Sequence, residues 1–100
     1  MIREEAMVIT VKFIGALRHF SGKTQLTVNF QGGMTIRELI VKISQESPKL
    51  ERSLGDQQSG DSTSNALILV NGREISVLNG LETRLKDGDE IVFVPVVHGG

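Results

Sequence analysis

Thr35-Ile36-Arg37-Glu38-Leu39-Ile40-Val41-Lys42-Ile43 is the stretch that decides how this chain folds. Thr35 and Glu38 stand at capping-box spacing, in which each side chain satisfies a backbone N–H left free at a helix start. Ile36, Leu39, Ile40 and Ile43 then recur at i, i+3, i+4 and i+7, which gathers them into one apolar stripe. Pro48 cannot donate a helical hydrogen bond and marks the stop. The pattern predicts a helix of about three turns with one face to bury.

Around that helix the chain reads as strands. Val8 to Ile14 alternates, with Ile9, Val11 and Phe13 on one face and Thr10 and Lys12 on the other. Residues 1–7 read as a loose leader, with Met7 as an alternative start. Gly15 to Gly22 is a connection holding Leu17 and Phe20. Thr24 to Phe30 alternates again, with Leu26, Val28 and Phe30 inward, and Gln31-Gly32-Gly33 closes it. After the helix, Lys49 to Leu54 reads as a short helical turn. Residues 55–65 (GDQQSGDSTSN) hold no apolar side chain and read as a flexible surface loop. Leu67 to Val70, Asn71-Gly72 and Arg73 to Val77 read as a hairpin, since Asn-Gly supplies the two positive-φ residues of a type I′ turn. Asp87-Gly88-Asp89 is a second tight turn, and Glu90 to Pro95 is the last strand.

The order is strand, strand, helix, hairpin, strand. A helical crossover permits parallel pairing of the strands on either side of it. The simplest packing is α+β: one mixed β-sheet with the one main helix packed on one face. This is the order of the ubiquitin-like β-grasp, in a single domain over residues 1–100. Alternation places Phe13, Ile91 and Phe93 against the helix. It leaves Ile14, Val92 and Val94 on the opposite face, which one helix cannot cover. An apolar patch there suggests an interface.

Composition excludes several classes of function. One hundred residues make one domain. With four Phe and no Trp or Tyr, the core must be built from Val, Ile and Leu. There is no Cys, hence no disulfide, no thiolate nucleophile and no thiolate metal site. His19 and His98 are too few and too isolated for a zinc site. A net charge of −1 gives no field for nucleic acid or an anionic membrane. No apolar stretch nears the ~20 residues of a membrane span. The first residues lack the order of a signal peptide. A soluble cytoplasmic protein is expected. Gly32-Gly33 lacks the spacing of a phosphate loop. Asp87 and Asp89 read as turn chemistry rather than as paired catalytic carboxylates. The charged residues between Lys49 and Arg52 read as a solvated face. Arg18 and Lys86 either pair with acidic residues of a partner or are solvated.

The tail carries the chemistry. The apolar run Ile91 to Val97 passes into His98-Gly99-Gly100. A glycine pair has no Cβ and adopts almost any backbone conformation. Such a tail can thread a narrow channel and bring its carboxylate to a catalytic site on another protein. There it can be activated as an acyl-adenylate and passed to a nucleophile. A frayed terminus or an appended remnant is the plain alternative. At roughly 7% glycine, two glycines close a chain by chance in only about 0.5% of cases. Val97 to Gly100 is expected to be mobile, because ordering it costs about 1–2 kcal/mol per residue.

Four segments together resemble a known family from about residue 8 onward. They are Gly15-Ala16-Leu17-Arg18 after the first strand, Val70-Asn71-Gly72, Leu85-Lys86-Asp87-Gly88-Asp89-Glu90-Ile91, and Val94-Pro95-Val96-Val97-His98-Gly99-Gly100. The chain is similar to the MoaD/ThiS sulfur carriers and the Urm-type ubiquitin-related modifiers. MoaD-type tails usually carry two adjacent prolines and a small residue before Gly-Gly. Here Val96 follows Pro95 and His98 takes the small residue's place, so the ending is closer to the Urm or SAMP type.

The resemblance implies that Gly100, presented by Gly99, is the reacting residue. An E1-like adenylating enzyme would use Mg-ATP to activate its carboxylate, and a sulfurtransferase persulfide would leave a thiocarboxylate. No cofactor would be bound beyond that covalent sulfur. The resemblance also implies a carrier or cosubstrate, or the small subunit of a molybdopterin synthase whose catalytic site lies on a MoaE-type large subunit. The sulfur would go to the pterin precursor in MoaD relatives and to the thiazole of thiamine in ThiS relatives. In Urm or SAMP relatives it reaches tRNA, or the tail is joined to lysines. Ile14, Val92, Val94, Pro95, Val96, Val97, His98, Arg18 and Lys86 are the expected partner-binding residues, with no nucleic acid or membrane bound. A ubiquitin-like interaction module without acyl chemistry is the second reading. A stand-alone enzyme is the least supported, for want of a nucleophile–base pair.

Overall fold

The computed structural model describes residues 6–15, 25–46 and 66–95. The first strand, β1, runs Ala6–Phe13 and pairs antiparallel with β2, Gln25–Gln31. A two-residue strand, β3 (Met34–Thr35), leads into the helix α1, Ile36–Glu46. Then come β4 (Ala66–Val70), β5 (Arg73–Glu74), β6 (Arg84–Leu85) and β7 (Glu90–Pro95). The main sheet has the order β2-β1-β7-β4-β5, and β3 pairs with β6 in a separate ribbon. β1 and β7 are parallel and every other pairing is antiparallel, so the sheet is mixed as the helical crossover requires.

The helix forms as its sequence dictates. Thr35 N–H donates to Glu38 Oε1 at 2.9 Å, and Glu38 N–H donates to Thr35 Oγ1 at 3.2 Å, completing the capping box. The neighbouring Ile36 N–H donates to the Thr83 carbonyl at 3.0 Å. Ile36, Leu39, Ile40 and Ile43 are all buried against the sheet's inner face, which supplies Ile9, Val11, Phe13, Val28, Ile68, Ile91 and Phe93. Parallel register sets Phe13 opposite Phe93, and their rings stack with centroids 5.7 Å apart. Ser44 is buried beside this stripe, and its hydroxyl has no partner among the described residues. A buried, unsatisfied hydroxyl is costly. Ser44→Ala should therefore raise unfolding stability by about 1 kcal/mol, read from urea melts with an unchanged m-value.

Three sequence expectations need correction. β1 begins at Ala6, not Val8, because Ala6 and Met7 pair with Gln31 and Phe30 and Met7 packs on the core. The loose leader therefore does not extend through residues 6 and 7. The hairpin's second arm ends at Glu74 instead of Val77. Glu74 accepts from Ser76 N–H at 2.8 Å and from the Ser76 hydroxyl at 2.6 Å. That local capping turns Ile75–Val77 into a 3-10 turn, which buries Ile75 and exposes Val77. A second 3-10 turn, Gly80–Glu82, was not foreseen; Glu82 receives the Arg37 Nε–H at 2.9 Å. The Asn-Gly turn is as expected, with φ of 51° at Asn71 and 86° at Gly72. The helical turn at 49–54, the loop at 55–65, Pro48 and His19 lie outside the described residues.

Candidate functional site

β7 is the strand from which the tail departs, and it is held on both sides. Its Phe93 faces Phe13 of β1, while Val92, Val94 and Pro95 face Leu69, Leu67 and Ala66 of β4. A central strand is the most constrained place in a sheet, so the base of the tail is fixed. Gly15 helps to define it. Gly15 has φ of +63°, and a Cβ there would lie 3.1 Å from Pro95 Cγ. Any side chain would be strained in the backbone and crowded against the proline. The two sequence segments that hold Gly15 and Pro95 thus meet in space.

On the sheet face away from α1, the apolar residues gather beside this base. Ile14 is 43% exposed and continues β1 alongside β7, its N–H donating to the Phe93 carbonyl at 3.1 Å. Val92 and Val94 are half-buried on the same face. Their β4 neighbours Leu69 and Leu67 extend the patch, and Leu67 is 45% exposed. Sequence reading missed the two leucines. The run Leu67-Ile68-Leu69-Val70 is apolar throughout, so its outward members carry no contrast with the inward ones. Toward the far end of β7 the face becomes polar, with Thr10 opposite Glu90 and an ion pair of Lys12 Nζ and Glu90 Oε2 at 2.9 Å. Both side chains are exposed, so this pair contributes little stability.

The expected site residues therefore divide. Ile14, Val92, Val94 and Pro95 come together at the base of the tail. Lys86 is exposed but lies in the turn that precedes β7, at the opposite end of that strand from Pro95. Arg18, Val96, Val97, His98, Gly99 and Gly100 lie outside the described residues. Asp87 and Asp89 hold the turn, as read from the sequence. Asp87 Oδ1 accepts from Val8 N–H at 2.8 Å, and Asp89 Oδ2 accepts from Lys86 N–H at 2.7 Å. Asp89 Oδ1 also accepts from Asn71 Nδ2 at 2.8 Å, which ties this turn to the Asn-Gly turn. No described helix is long and apolar enough to cross a membrane.

The model of the ThiS family matches residues 11–100, which takes in the β7 base, both turns and the Gly-Gly ending. The chain belongs to the ThiS family. A candidate sulfur carrier protein of Archaeoglobus fulgidus is 40% identical over 68 residues, or 67% of this chain and 75% of that protein. The solved structure of small archaeal modifier protein 1 from Methanosarcina acetivorans is 31% identical, with a TM-score of 0.73 over 96% of this chain and 99% of that one. A complex of subunits 1 and 2 of the molybdopterin-converting factor from Helicobacter pylori contains a chain 28% identical, with a TM-score of 0.61 over 94% of this chain and 100% of that one. This ThiS-family protein thus stands among sulfur carriers and ubiquitin-like modifiers, and its fold is the ubiquitin-like β-grasp.

Proposed function

We propose that this protein is a sulfur carrier that holds sulfur as a thiocarboxylate on Gly100. The observation that carries the reading is the ThiS family match running through Gly99-Gly100. A carboxylate oxygen of Gly100 attacks the α-phosphorus of Mg-ATP on an E1-like adenylating enzyme, and pyrophosphate leaves. A sulfurtransferase persulfide then attacks the acyl carbon and AMP leaves. A thiol cleaves the resulting acyl disulfide, becoming oxidised to a disulfide and leaving the thiocarboxylate. Gly99 and Gly100 let the chain end reach that centre. The patch of Ile14, Leu67, Leu69, Val92 and Val94 docks the enzymes that load and unload it. All of this uses cytoplasmic reactants.

For the destination of the sulfur we favour molybdopterin synthesis, with a MoaE-type large subunit as acceptor. The Leu85 to Ile91 turn and its resemblance to MoaD support that choice, as does the likeness to a chain of the Helicobacter complex. The His98-Gly99-Gly100 ending and the 31% identity to an archaeal modifier favour a second reading, tRNA thiolation or conjugation to lysines. Intact-mass analysis tests the carrier role. After incubation with an E1-like enzyme, Mg-ATP and a sulfurtransferase, the mass should shift by the exchange of one oxygen for sulfur. An unchanged mass with an active control carrier contradicts it. Capture by the thiocarboxylated chain then separates the destinations: a large synthase subunit for the first, tRNA-thiolation enzymes for the second.

A further inference from the structure

β2 is an edge strand, and the direction of its backbone groups follows from its neighbours. The N–H groups of Val8, Thr10 and Ile14 all point to the β7 side, donating to Asp87 Oδ1, the Asp89 carbonyl and the Phe93 carbonyl. The intervening Ile9 and Val11 therefore address β2, where they face Val28 and Leu26. Backbone groups of Gln25, Thr27, Asn29 and Gln31 consequently point away from the sheet. Among the described residues no strand pairs with them.

Natural sheets protect such an edge with charge, proline, a bulge or short length. Gln25-Leu26-Thr27-Val28-Asn29-Phe30-Gln31 has no charge and no proline, and its pairing with β1 runs without a bulge. The opposite edge, β5, is only Arg73–Glu74, both charged. β2 is also its own complement. A two-fold axis at Val28 sets Thr27 opposite Asn29 of the second copy and Gln25 opposite Gln31, the residues with outward backbone groups. On the helix side it sets Leu26 opposite Phe30. A groove of about 240 Å³ between β2 and α1 is lined by Leu26, Val28 and Ile43 together with Lys42 and Glu46.

We propose that the protein pairs with a second copy of itself through β2, antiparallel and edge to edge, joining two five-stranded sheets into one. β7 lies two strands away, so each copy keeps the Ile14, Val92 and Val94 face and its tail base accessible. The proposal stands apart from the carrier reading.

Sedimentation equilibrium over a concentration series tests it. The average mass should rise from 10.9 kDa toward twice that value, and amide exchange at Thr27 and Asn29 should slow in step. Thr27→Lys with Asn29→Lys places like charges opposite each other and should weaken association about tenfold. Thr27→Lys with Asn29→Glu places opposite charges there and should restore it. Both positions are exposed, so the fold is spared. A mass fixed at the monomer with concentration-independent exchange overturns the proposal. So does association that both double variants leave equally strong.

Discussion

A chain extended by one residue after Gly100 will accept no sulfur. The added residue displaces the carboxylate by about 3.3–3.6 Å along the chain, and any residue but glycine adds a Cβ where the tail must be narrow. Misplacing a reacting atom by 1 Å can cost about 100-fold in rate, so a full residue should abolish adenylation. Deleting Gly100 should do the same from the other side. ATP–pyrophosphate exchange on the activating enzyme reads the first step, and intact mass reads the second. Among the described residues the buried core runs from Ile9 to Phe93, well short of Gly100, so both variants should melt like the parent. An extended chain thiocarboxylated at the parent rate would exclude Gly100 as the reacting residue. A Gly100 deletion that keeps full biological function would favour the interaction module.

Much of the fold was legible because its signals are local and periodic. The Thr35–Glu38 box and the Ile36, Leu39, Ile40, Ile43 stripe fix a helix without tertiary information, and the structure realises both. Alternation in β1, β2 and β7 likewise fixes which side chains face it. What escaped depends on contacts distant in sequence or too short to have a period. β3 and β6 are two residues each and exist only because Met34 meets Leu85 and Thr35 meets Arg84. Ile75 stands in an alternating run, yet Glu74 caps the next backbone N–H and ends the strand. The site divides in the same way. Ile14, Val92 and Val94 were placed by alternation, whereas Leu67 and Leu69 joined them only through pairing with β7. Lys86 is singled out by its positive charge, which says nothing of position, and the six residues of β7 lead away from it to the tail base.

Val94→Asp should weaken binding to the activating enzyme and to the sulfur acceptor by about 100-fold or more. Val94 is half-buried on the face away from α1, pairs with Leu67, and adjoins the proline that begins the tail. Burying such a side chain in an interface is worth roughly 1.5–3 kcal/mol. A carboxylate there also arrives desolvated and unpaired, which adds a further cost. Lys12, on the same face, is engaged with Glu90, so it is not a ready counterion. The fold should persist, because the substitution points away from the helix. Phe93→Ala, one residue earlier, gives the contrast: Phe93 is fully buried on the helix side and stacks on Phe13. Its loss should destabilise the domain by about 3–5 kcal/mol, with binding reduced only as far as folding is. Titration calorimetry beside thermal melts separates the two effects. If Val94→Asp is folded and binds both partners as tightly as the parent, the face of Ile14, Val92 and Val94 is not where they dock.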